Sequence, residues 1–279
     1  MNLRSTRLFE SFMAKKVMKI IIGIDNVSLL QIFRMAKIAE VSGSTYIDIT
    51  ANVNAIKFLR SFSPLPVCVS SINPIELYNS VTAGADMIEL GNFDHFYEQG
   101  IYIGGAEILS LANEVKSLVN GVHMCVTIPN YISFNQQLEL AQNLEAISID
   151  VVQTESFSIR SRLVPPQLIN NNLFSTIYPS CVSFLSTYVI ANSVNIPVIT
   201  SSSVNYVSIY IPFLCGACGV GVGSAVSTGQ NILEMYKYAR LLSSSIFYAP
   251  VQSDVNRLYE SELPSFFPLI NKSSIIRSS

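Results

Sequence analysis

Short apolar runs alternate with longer amphipathic segments along most of the chain. The first run, VMKIIIGID at 17–25, is followed by a segment at 27–43 whose apolar residues recur with helical spacing and which ends on Gly43. The runs that predict strands are 17–25, 45–50, 65–71, 86–92, 122–130, 149–156, 196–203 and 219–227. The segments that predict helices are 27–43, 52–62, 74–85, 105–119, 133–148, 180–194, 205–217 and 228–247. Strands that alternate with helices in this way pair in parallel through right-handed crossovers.

This repeat predicts a (β/α)₈ TIM barrel. Eight strand–helix units fill the span 17–247, and a barrel of this type needs eight such units in ~250 residues. A doubly wound open sheet is the alternative, but it usually has about six strands and a GxGxxG turn after the first, where this chain reads GIDN. We therefore expect one barrel domain over 1–249, with the amphipathic segment 1–16 as a capping helix, and a C-terminal extension over 250–279.

Composition narrows the class of protein. Charged residues make up 13% of the 279 residues and apolar residues 49%, against a usual charged share of ~25%. The formal net charge is −2 and there is no basic run, so nucleic-acid binding is not expected. The five cysteines have no framework spacing, which favours a reducing compartment. The first residues, MNLRSTRLFESFMAKK, are mixed and charged, so no secretory signal is expected.

No charged residue stands between Arg162 and Glu234, a stretch that contains FLCGACGVGVGSAVS. A membrane span needs ~20 apolar residues, and 206–226 is long enough. Glycines and a proline interrupt this segment, however, and no Lys or Arg flanks it to orient a span. We therefore expect no membrane span. The uncharged segments 180–194 and 205–217 instead suggest a homo-oligomer interface.

Cys215 and Cys218 form a CxxC motif within that stretch. In thioredoxins the motif follows a strand and opens a helix, whereas here the predicted helix precedes it and the predicted strand follows it. A zinc site would need two further ligands, and His95 and His123 belong to distant units. We interpret the motif as small buried residues at a helix–strand junction, and we predict no metal site from it.

Acidic side chains recur at the C-terminal ends of the predicted strands, where barrels of this class carry their chemistry. Buried parallel strands have no packing use for carboxylates, so a cluster of them indicates a cleft. The residues predicted to do acid–base chemistry are Asp48, Glu89, Asp94 and Glu155. The alternative for each is a loop acid that caps the next helix. That alternative is weakest for Glu89 and Glu155, because both lie inside apolar runs.

The seventh and eighth units supply a candidate phosphate site. GVGVGS at 219–224 would let backbone N–H groups approach an anion with no Cβ in the way, and phosphate sites recur at this place in barrels. The predicted phosphate-binding residues are Ser201, Ser202, Gly221, Gly223 and Ser224. The alternative is that the glycines only allow a close contact between a strand and a helix.

Cations are scarce at the predicted mouth of the barrel. No lysine falls at a predicted strand end, so a Schiff-base enzyme is not expected. The long segment 158–180 carries Arg160 and Arg162, which are predicted to form a lid that closes over an anion; a disordered insertion is the alternative. Acids with few bases fit carboxylate acid–base chemistry on a phosphorylated small molecule, with or without Mg²⁺.

Four segments carry a resemblance to a known family. DMIELGNFDHFYEQG, LPVCVSS, VVQTES and GACGVGVGSAVS resemble the family called hypothetical chloroplast open reading frame twenty-three, over about residues 8 to 245. Its most specific parts are IELGNFD and GVGVGSA. The resemblance implies an aldolase-type (β/α)₈ barrel and a location in the plastid stroma, and it carries over no established reaction.

The residues and the resemblance lead to three predicted functions. The first is a barrel that binds or acts on a small phosphorylated metabolite through its carboxylates, as a lyase or isomerase without a Schiff-base lysine. The second is a non-catalytic barrel that senses a metabolite or binds a partner. The third is a membrane-associated protein.

Overall fold

The computed structural model describes residues 3–22, 28–91, 93, 97, 100–156, 177–201, 203–229 and 231–250. Within them the strands are β1 Val17–Ile21, β2 Tyr46–Thr50, β3 Val67–Ser71, β4 Met87–Leu90, β5 His123–Ile128, β6 Val151–Thr154, β7 Val198–Thr200 and β8 Gly219–Val222. The α-helices are α1 Leu3–Met13, α2 Leu29–Ser42, α3 Val53–Phe62, α4 Pro74–Thr82, α5 Gly105–Leu118, α6 Phe134–Ala146, α7 Cys181–Ala191, α8 Ile211–Leu214, α9 Ser224–Ser227 and α10 Ile232–Tyr248. A 3₁₀ turn, Tyr178–Ser180, leads into α7.

The strands form a closed parallel barrel. Each strand pairs with the next one along the chain, and β8 returns to pair with β1, with Val17 opposite Gly219. Several helices begin where a side chain accepts a backbone N–H of the first turn, as Asn52, Asn73 and Ser133 do. The predicted (β/α)₈ TIM barrel is therefore confirmed.

Residues of each strand alternate between the barrel interior and the layer between strands and helices. In β1, Met18 and Ile20 join a buried apolar cluster with residues of α2 and α10. Val17 and Lys19 face the interior instead. Burial of one such Ile stabilises the fold by ~1.5–3 kcal/mol, so the outer layer holds the barrel together. The interior is therefore free to carry polar side chains.

The N-terminal end of the barrel is closed by α1. Leu8 of α1 is buried in a cluster of interior residues from the lower half of the barrel. The other members are Val17, Tyr46, Cys68, Met87, Cys125, Val151, Ile199 and Cys218. Phe12 stacks on Tyr46 with ring centroids 6.4 Å apart. α1 is thus the capping helix that the sequence predicts, and it leaves the opposite end of the barrel as the accessible one.

Every strand is shorter than its predicted run, and two elements are shortened for a visible structural reason. The helix expected over 205–217 is reduced to the single turn of α8, because the Asn205 Oδ1 accepts the backbone N–H of Val207 and holds the preceding residues in turns. β8 is also shorter, since the chain leaves the strand after Val222 and forms α9. The eighth strand therefore ends close to the mouth of the barrel.

Among the described residues, no helix combines the length and the apolar character that a membrane crossing requires. The predicted C-terminal extension, apart from its first residue, lies outside the described part of the chain. The boundary between the barrel and this extension stays a prediction.

Candidate functional site

A cavity of about 120 Å³ opens at the C-terminal end of the barrel. Its lining residues are Lys19, Ile21, Ile22, Asp48, Ile49, Thr50, Ser70, Glu89, Phe93, Thr127, Gln153, Glu155 and Ser201. They belong to the first seven strands or follow them directly. Three of the predicted acid–base residues, Asp48, Glu89 and Glu155, therefore lie around one cavity.

Lys19 lies at the floor of this cavity. It is the middle residue of β1 and its side chain is fully buried. Its Nζ lies 2.8 Å from the Asp48 Oδ2 and 2.6 Å from the Glu89 Oε2, and it donates to the Gln153 Oε1 at 2.9 Å. An ammonium has three N–H donors, so these three partners engage all of them.

The two carboxylates that hold Lys19 have different surroundings. The Glu89 Oε1 accepts the Gln153 Nε2 at 2.8 Å and the Thr127 hydroxyl at 3.1 Å. The Asp48 Oδ1 accepts only the Ser70 hydroxyl, at 2.6 Å, among the hydrogen bonds of the described residues. Glu89 is therefore held by three side chains, counting the ammonium, and Asp48 by two.

One buried cation faces two buried carboxylates, and this imbalance appears in the pKa values of Lys19 and Asp48. Burial would lower the pKa of Lys19, but the charges of Asp48 and Glu89 outweigh it and raise that pKa well above its ordinary value. Burial and the like charge of Glu89 raise the pKa of Asp48 from 3.8 to about 6, against the opposing effect of Lys19. Asp48 can therefore take up and release a proton near neutral pH.

Glu155 lies at the rim, beside an aromatic cluster. Its Oε1 accepts the Tyr97 hydroxyl at 2.6 Å and the Asn130 backbone N–H at 3.3 Å. The ring of Tyr97 stacks on Tyr102 at 5.8 Å and meets Tyr131 edge-on at 5.1 Å. These contacts fix the position of the Glu155 carboxylate at the entrance of the cavity.

The corner between β7 and β8 is tightly packed. A Cβ on Gly221 would lie 2.7 Å from the Ser201 Oγ, and a Cβ on Gly223 would lie 3.3 Å from the Ile21 Cβ. Glycine at these positions is therefore explained by contact between neighbouring strands, and Ser224 begins α9 directly after them. The role of this corner in binding a phosphate stays a prediction.

Several predicted site residues lie outside the described part of the chain. They are Asp94, Ser202 and the two proposed lid residues, Arg160 and Arg162. Their roles stay predictions. His123, which the sequence assigns to the opposite end of the barrel, begins β5 and lies 3.3 Å from Asp150 there, outside the cavity.

Lys19 is the site residue that sequence reasoning missed. Barrel chemistry is expected at strand ends, whereas Lys19 lies mid-strand and reaches the cavity through the length of its side chain. A signal was present, because a lysine inside the apolar run VMKIII is costly unless carboxylates neutralise it. Asp48 and Glu89 supply that charge.

The arrangement does not suit a divalent metal at the floor of the cavity. The described residues contain no group of three or more His, Cys, Asp or Glu side chains that could hold a metal ion. A Mg²⁺ bridging Asp48 and Glu89 would need the position between them that the Lys19 ammonium takes. These two carboxylates therefore bind the Lys19 ammonium group.

The CxxC motif holds two free thiols whose pKa values are raised. Cys215 and Cys218 are both free. Burial raises the pKa of the Cys218 thiol to about 12 and also raises the pKa of Cys215. A reactive thiol needs a lowered pKa, so the motif consists of packed residues between α8 and β8.

Comparison with other sequences finds relatives along nearly the whole chain. The uncharacterized protein ycf23 of Antithamnion sp. is 40% identical over 242 residues, covering 85% of this chain and 87% of that protein. The protein of the same name from Cyanophora paradoxa is 38% identical over 238 residues, covering 85% of this chain and 95% of that protein. The ycf23 designation confirms the resemblance to hypothetical chloroplast open reading frame twenty-three.

Solved structures match the fold at low sequence identity. The 3-hexulose-6-phosphate synthase from Salmonella typhimurium has a TM-score of 0.62 at 13% identity, covering 84% of this chain and 100% of that chain. A thiamine phosphate pyrophosphorylase from Pyrococcus furiosus has a TM-score of 0.54 at 15% identity, covering 84% of this chain and 97% of that chain. At such identities the likeness shows the fold alone.

A family model decides where the chain belongs. The family described as "Protein of unknown function (DUF561)" matches residues 3–252, a range that includes every described helix and strand. With relatives at up to 40% identity over most of its length, the chain is a member of this family.

Proposed function

We propose that the protein is an enzyme that binds a small phosphorylated metabolite in the cavity above Lys19 and acts on it by carboxylate acid–base chemistry. One observation carries the proposal. Two carboxylates and an ammonium are buried together at the accessible end of the barrel, and one of the carboxylates, Asp48, has a pKa raised to about 6. Buried charges that add nothing to packing are costly, and an acid–base group works best with a pKa near the working pH.

The reaction class follows from the state of the lysine. A Schiff-base enzyme needs a neutral amine as nucleophile, whereas the pKa of Lys19 is raised and its three donors are engaged. The proposal is therefore a lyase or isomerase that works without a covalent lysine adduct. Asp48 and Glu89 are the central groups, and Glu155 contacts the substrate at the rim.

The phosphate end of the substrate is assigned to the corner between β7 and β8. Ser201 lines the cavity there, Gly221 lies in the neighbouring strand β8, and Gly223 and Ser224 follow that strand at the start of α9. Phosphate sites recur at this position in barrels of this fold. Two proteins of similar fold are named for phosphorylated compounds, a hexulose-phosphate synthase and a thiamine phosphate pyrophosphorylase. The predicted lid residues Arg160 and Arg162 would close over the same anion.

The test is a binding screen with phosphorylated metabolites, read by ligand-detected NMR and by thermal shift. We expect at least one compound to bind, to be displaced by inorganic phosphate, and to bind more weakly to Ser201→Ala. Ser117→Ala, an exposed serine of α5 far from the cavity, is the matched control and should bind as the wild type does. A complete screen without a phosphate-competed ligand would remove the proposal.

A second candidate function is a non-catalytic barrel that senses a metabolite and binds a partner. It is favoured by an uncharged outer surface on α7, α8 and the residue that precedes α8, where the exposed side chains are Leu185, Tyr188, Tyr210 and Leu214. The same surface supports our proposal of a homo-oligomer through these helices. Alanine at Glu89 separates the candidates, since a sensor would keep its ligand affinity and partner binding, whereas an enzyme would lose turnover.

We further propose that the protein works in the plastid stroma. The relatives carry a designation for chloroplast reading frames and come from algae. The cysteines are free, as a reducing compartment requires. Fractionation of purified plastids into stroma and membranes tests this, and recovery of the protein with the membranes would contradict it.

A further inference from the structure

The charged groups around Lys19 differ in whether they can change their protonation state. The ammonium is held by Asp48, Glu89 and Gln153, so it is a permanent positive charge at the floor of the cavity. Glu89 is also fixed, because Gln153 and Thr127 both donate to its second oxygen. A Cβ on Gly91 would lie only 3.0 Å from that oxygen, which shows how closely the site is packed.

Asp48 is the member of the cluster that can change its charge. Besides Lys19 its partner among the described residues is the Ser70 hydroxyl, and a hydroxyl can rotate to donate or to accept. Protonation of Asp48 therefore keeps its hydrogen bond with Ser70. It also leaves one cation facing one carboxylate, which is a neutral cluster. Protonation of Glu89 would instead disturb two donors at once.

We propose that Asp48 removes a proton from a carbon next to a carbonyl group of the substrate, and that Lys19 stabilises the resulting enolate oxygen. In this step the C–H bond breaks, the proton forms an O–H bond on Asp48, and the C–H electron pair forms a C=C bond while the carbonyl π electrons move to oxygen. Negative charge thus passes from Asp48 to the substrate oxygen. The N–H of Lys19 that had bonded to Asp48 is released to bond to that oxygen. The Asp48 O–H then exchanges its proton with solvent water, and return of a solvent-derived proton from Asp48 to carbon completes the exchange.

The electrostatics favour this reaction because the charge moves only a short distance beside a fixed cation. The Lys19 Nζ is 2.8 Å from the Asp48 Oδ2, so an oxygen that replaces this contact meets a donor already in place. Charged donors that are fixed before the reaction stabilise a transition state without any cost of reorganisation. Deprotonation next to a carbonyl is the first half of an isomerisation or an epimerisation.

The lining of the cavity indicates the substrate class. Hydroxyl and amide groups, those of Thr50, Ser70, Thr127, Gln153 and Ser201, surround the charged cluster. Two carboxylates facing one ammonium would repel an anionic group at the floor. The reacting end of the substrate is therefore neutral and hydroxylated, with its phosphate at the mouth. We infer a hydroxyaldehyde or hydroxyketone phosphate, and this inference rests on the function proposed above.

The experiment measures hydrogen exchange into substrate carbon. Dihydroxyacetone phosphate, ribulose 5-phosphate and fructose 6-phosphate are each incubated with the full chain in D₂O, and the C–H signals next to the carbonyl are followed by ¹H NMR. Binding of the same compounds is measured separately by saturation-transfer NMR. We expect one of them to bind and to exchange its hydrogen, and Asp48→Asn to slow the exchange at least ~100-fold, within the range for loss of a general base, while binding persists.

A second variant distinguishes chemistry from structural damage. The wild-type exchange rate should rise with pH and level off above the Asp48 pKa of about 6, where this carboxylate is ionised. Glu89→Gln removes the like charge that raises the pKa of Asp48, so the midpoint of this profile should move to lower pH. A purely structural role for Glu89 would lower the rate at all pH values without moving the midpoint.

The outcomes separate this inference from the proposed function. Binding of a hydroxycarbonyl phosphate without exchange overturns the inference and leaves the binding function standing. Exchange that persists in Asp48→Asn at the wild-type rate also overturns it. If none of the three compounds binds while another phosphorylated metabolite does, the substrate class is wrong. Failure of every phosphorylated compound to bind removes both proposals.

Discussion

Replacement of Asp48 by asparagine should make the protein more stable at neutral pH while abolishing the proposed chemistry. The asparagine amide would keep an oxygen that accepts from Lys19 and would remove one of two buried negative charges. The remaining ammonium and the Glu89 carboxylate then balance each other. Active sites commonly carry charge arrangements that cost stability, and removal of such a charge relieves the cost.

The magnitude follows from the pKa of Asp48. Burial raises this pKa from 3.8 to about 6 in the folded protein, so the folded state binds protons more tightly than the unfolded state. The free energy of unfolding must then fall as the pH rises from about 4 to about 6, and the full cost is present above that range. At 1.36 kcal/mol for each pKa unit the cost is about 3 kcal/mol. Because the raised pKa already includes the attraction and the hydrogen bond of Lys19, we expect a gain of up to about 3 kcal/mol at about pH 8 and none at about pH 4.

The assay is urea unfolding of both proteins in buffers from about pH 4 to about pH 8, at constant ionic strength. Asp150→Asn is the matched control, and it should change the free energy of unfolding in the opposite direction. Burial would raise the pKa of Asp150, but hydrogen bonds from His123 and from the backbone N–H of Met124 outweigh it and lower that pKa. Its ionised form therefore stabilises the fold above the unfolded pKa, and this contribution is lost as the pH falls. Asp150 is half-exposed, so its replacement should cost only ~0.5–1 kcal/mol at about pH 7. The reasoning is refuted if Asp48→Asn is less stable than the wild type at about pH 8.

Three further predictions concern the rest of the barrel. Gly221→Ala should lower the free energy of unfolding by ~1–3 kcal/mol, because its Cβ would lie 2.7 Å from the Ser201 Oγ; thermal unfolding measures this. Leu185→Glu should convert a homo-oligomer to monomer in light scattering, because it places a charge on the exposed uncharged face of α7. The Cys218 thiol, with its pKa raised to about 12 by burial, should not react with Ellman's reagent at about pH 8 in the folded protein.

The two substitutions among these predictions each have a control variant. A Cβ on Gly105 would have its nearest neighbours at 3.9 Å, so Gly105→Ala should be neutral or slightly stabilising in its helix. Ile75 of α4 is as exposed as Leu185, at 55% each, and Ile75→Glu should leave the oligomeric state unchanged. A monomeric wild type would contradict the interface, and rapid labelling of native Cys218 would contradict its burial. An unaltered melting temperature in Gly221→Ala would contradict the packing argument.

The sequence was sufficient to predict the barrel because parallel strands buried on both faces read as continuous apolar runs. The same property hides which residues of a run face the interior. Lys19 shows the consequence, since its inward orientation follows from the pairing of β1 with both β2 and β8. No local pattern in VMKIII distinguishes the two faces. Asp48 and Glu89 could be predicted because they lie near the C-terminal ends of the predicted strands 45–50 and 86–92, whereas Lys19 lies near the beginning of the predicted strand 17–25.

The glycines of the eighth unit have a packing role that their local sequence pattern does not show. GVGVGS has the composition of an anion-binding turn, yet Gly219 and Gly221 lie within β8, where they allow the neighbouring strands to approach. A Cβ on Gly219 would lie 2.4 Å from the Cβ of Val17. Val17 belongs to the first strand and Gly219 to the last, so this contact forms only where β8 pairs with β1 and cannot be read from the local sequence. The helix predicted over 205–217 is wrong for residues 205–210, which form turns. There the Asn205 side chain accepts the backbone N–H of Val207 and overrides an apolar pattern with helical spacing.

The capping helix α1 can pack in its final position only after the barrel has closed. Leu8 precedes every strand in the chain, yet the surface that buries it includes Cys218, next to the last strand. This surface exists only after β8 has paired with β1. Contacts between distant segments form slowly, so docking of α1 should be among the last steps of folding. Until then a newly made chain exposes the apolar face of its first helix, which is the kind of surface that chaperones bind.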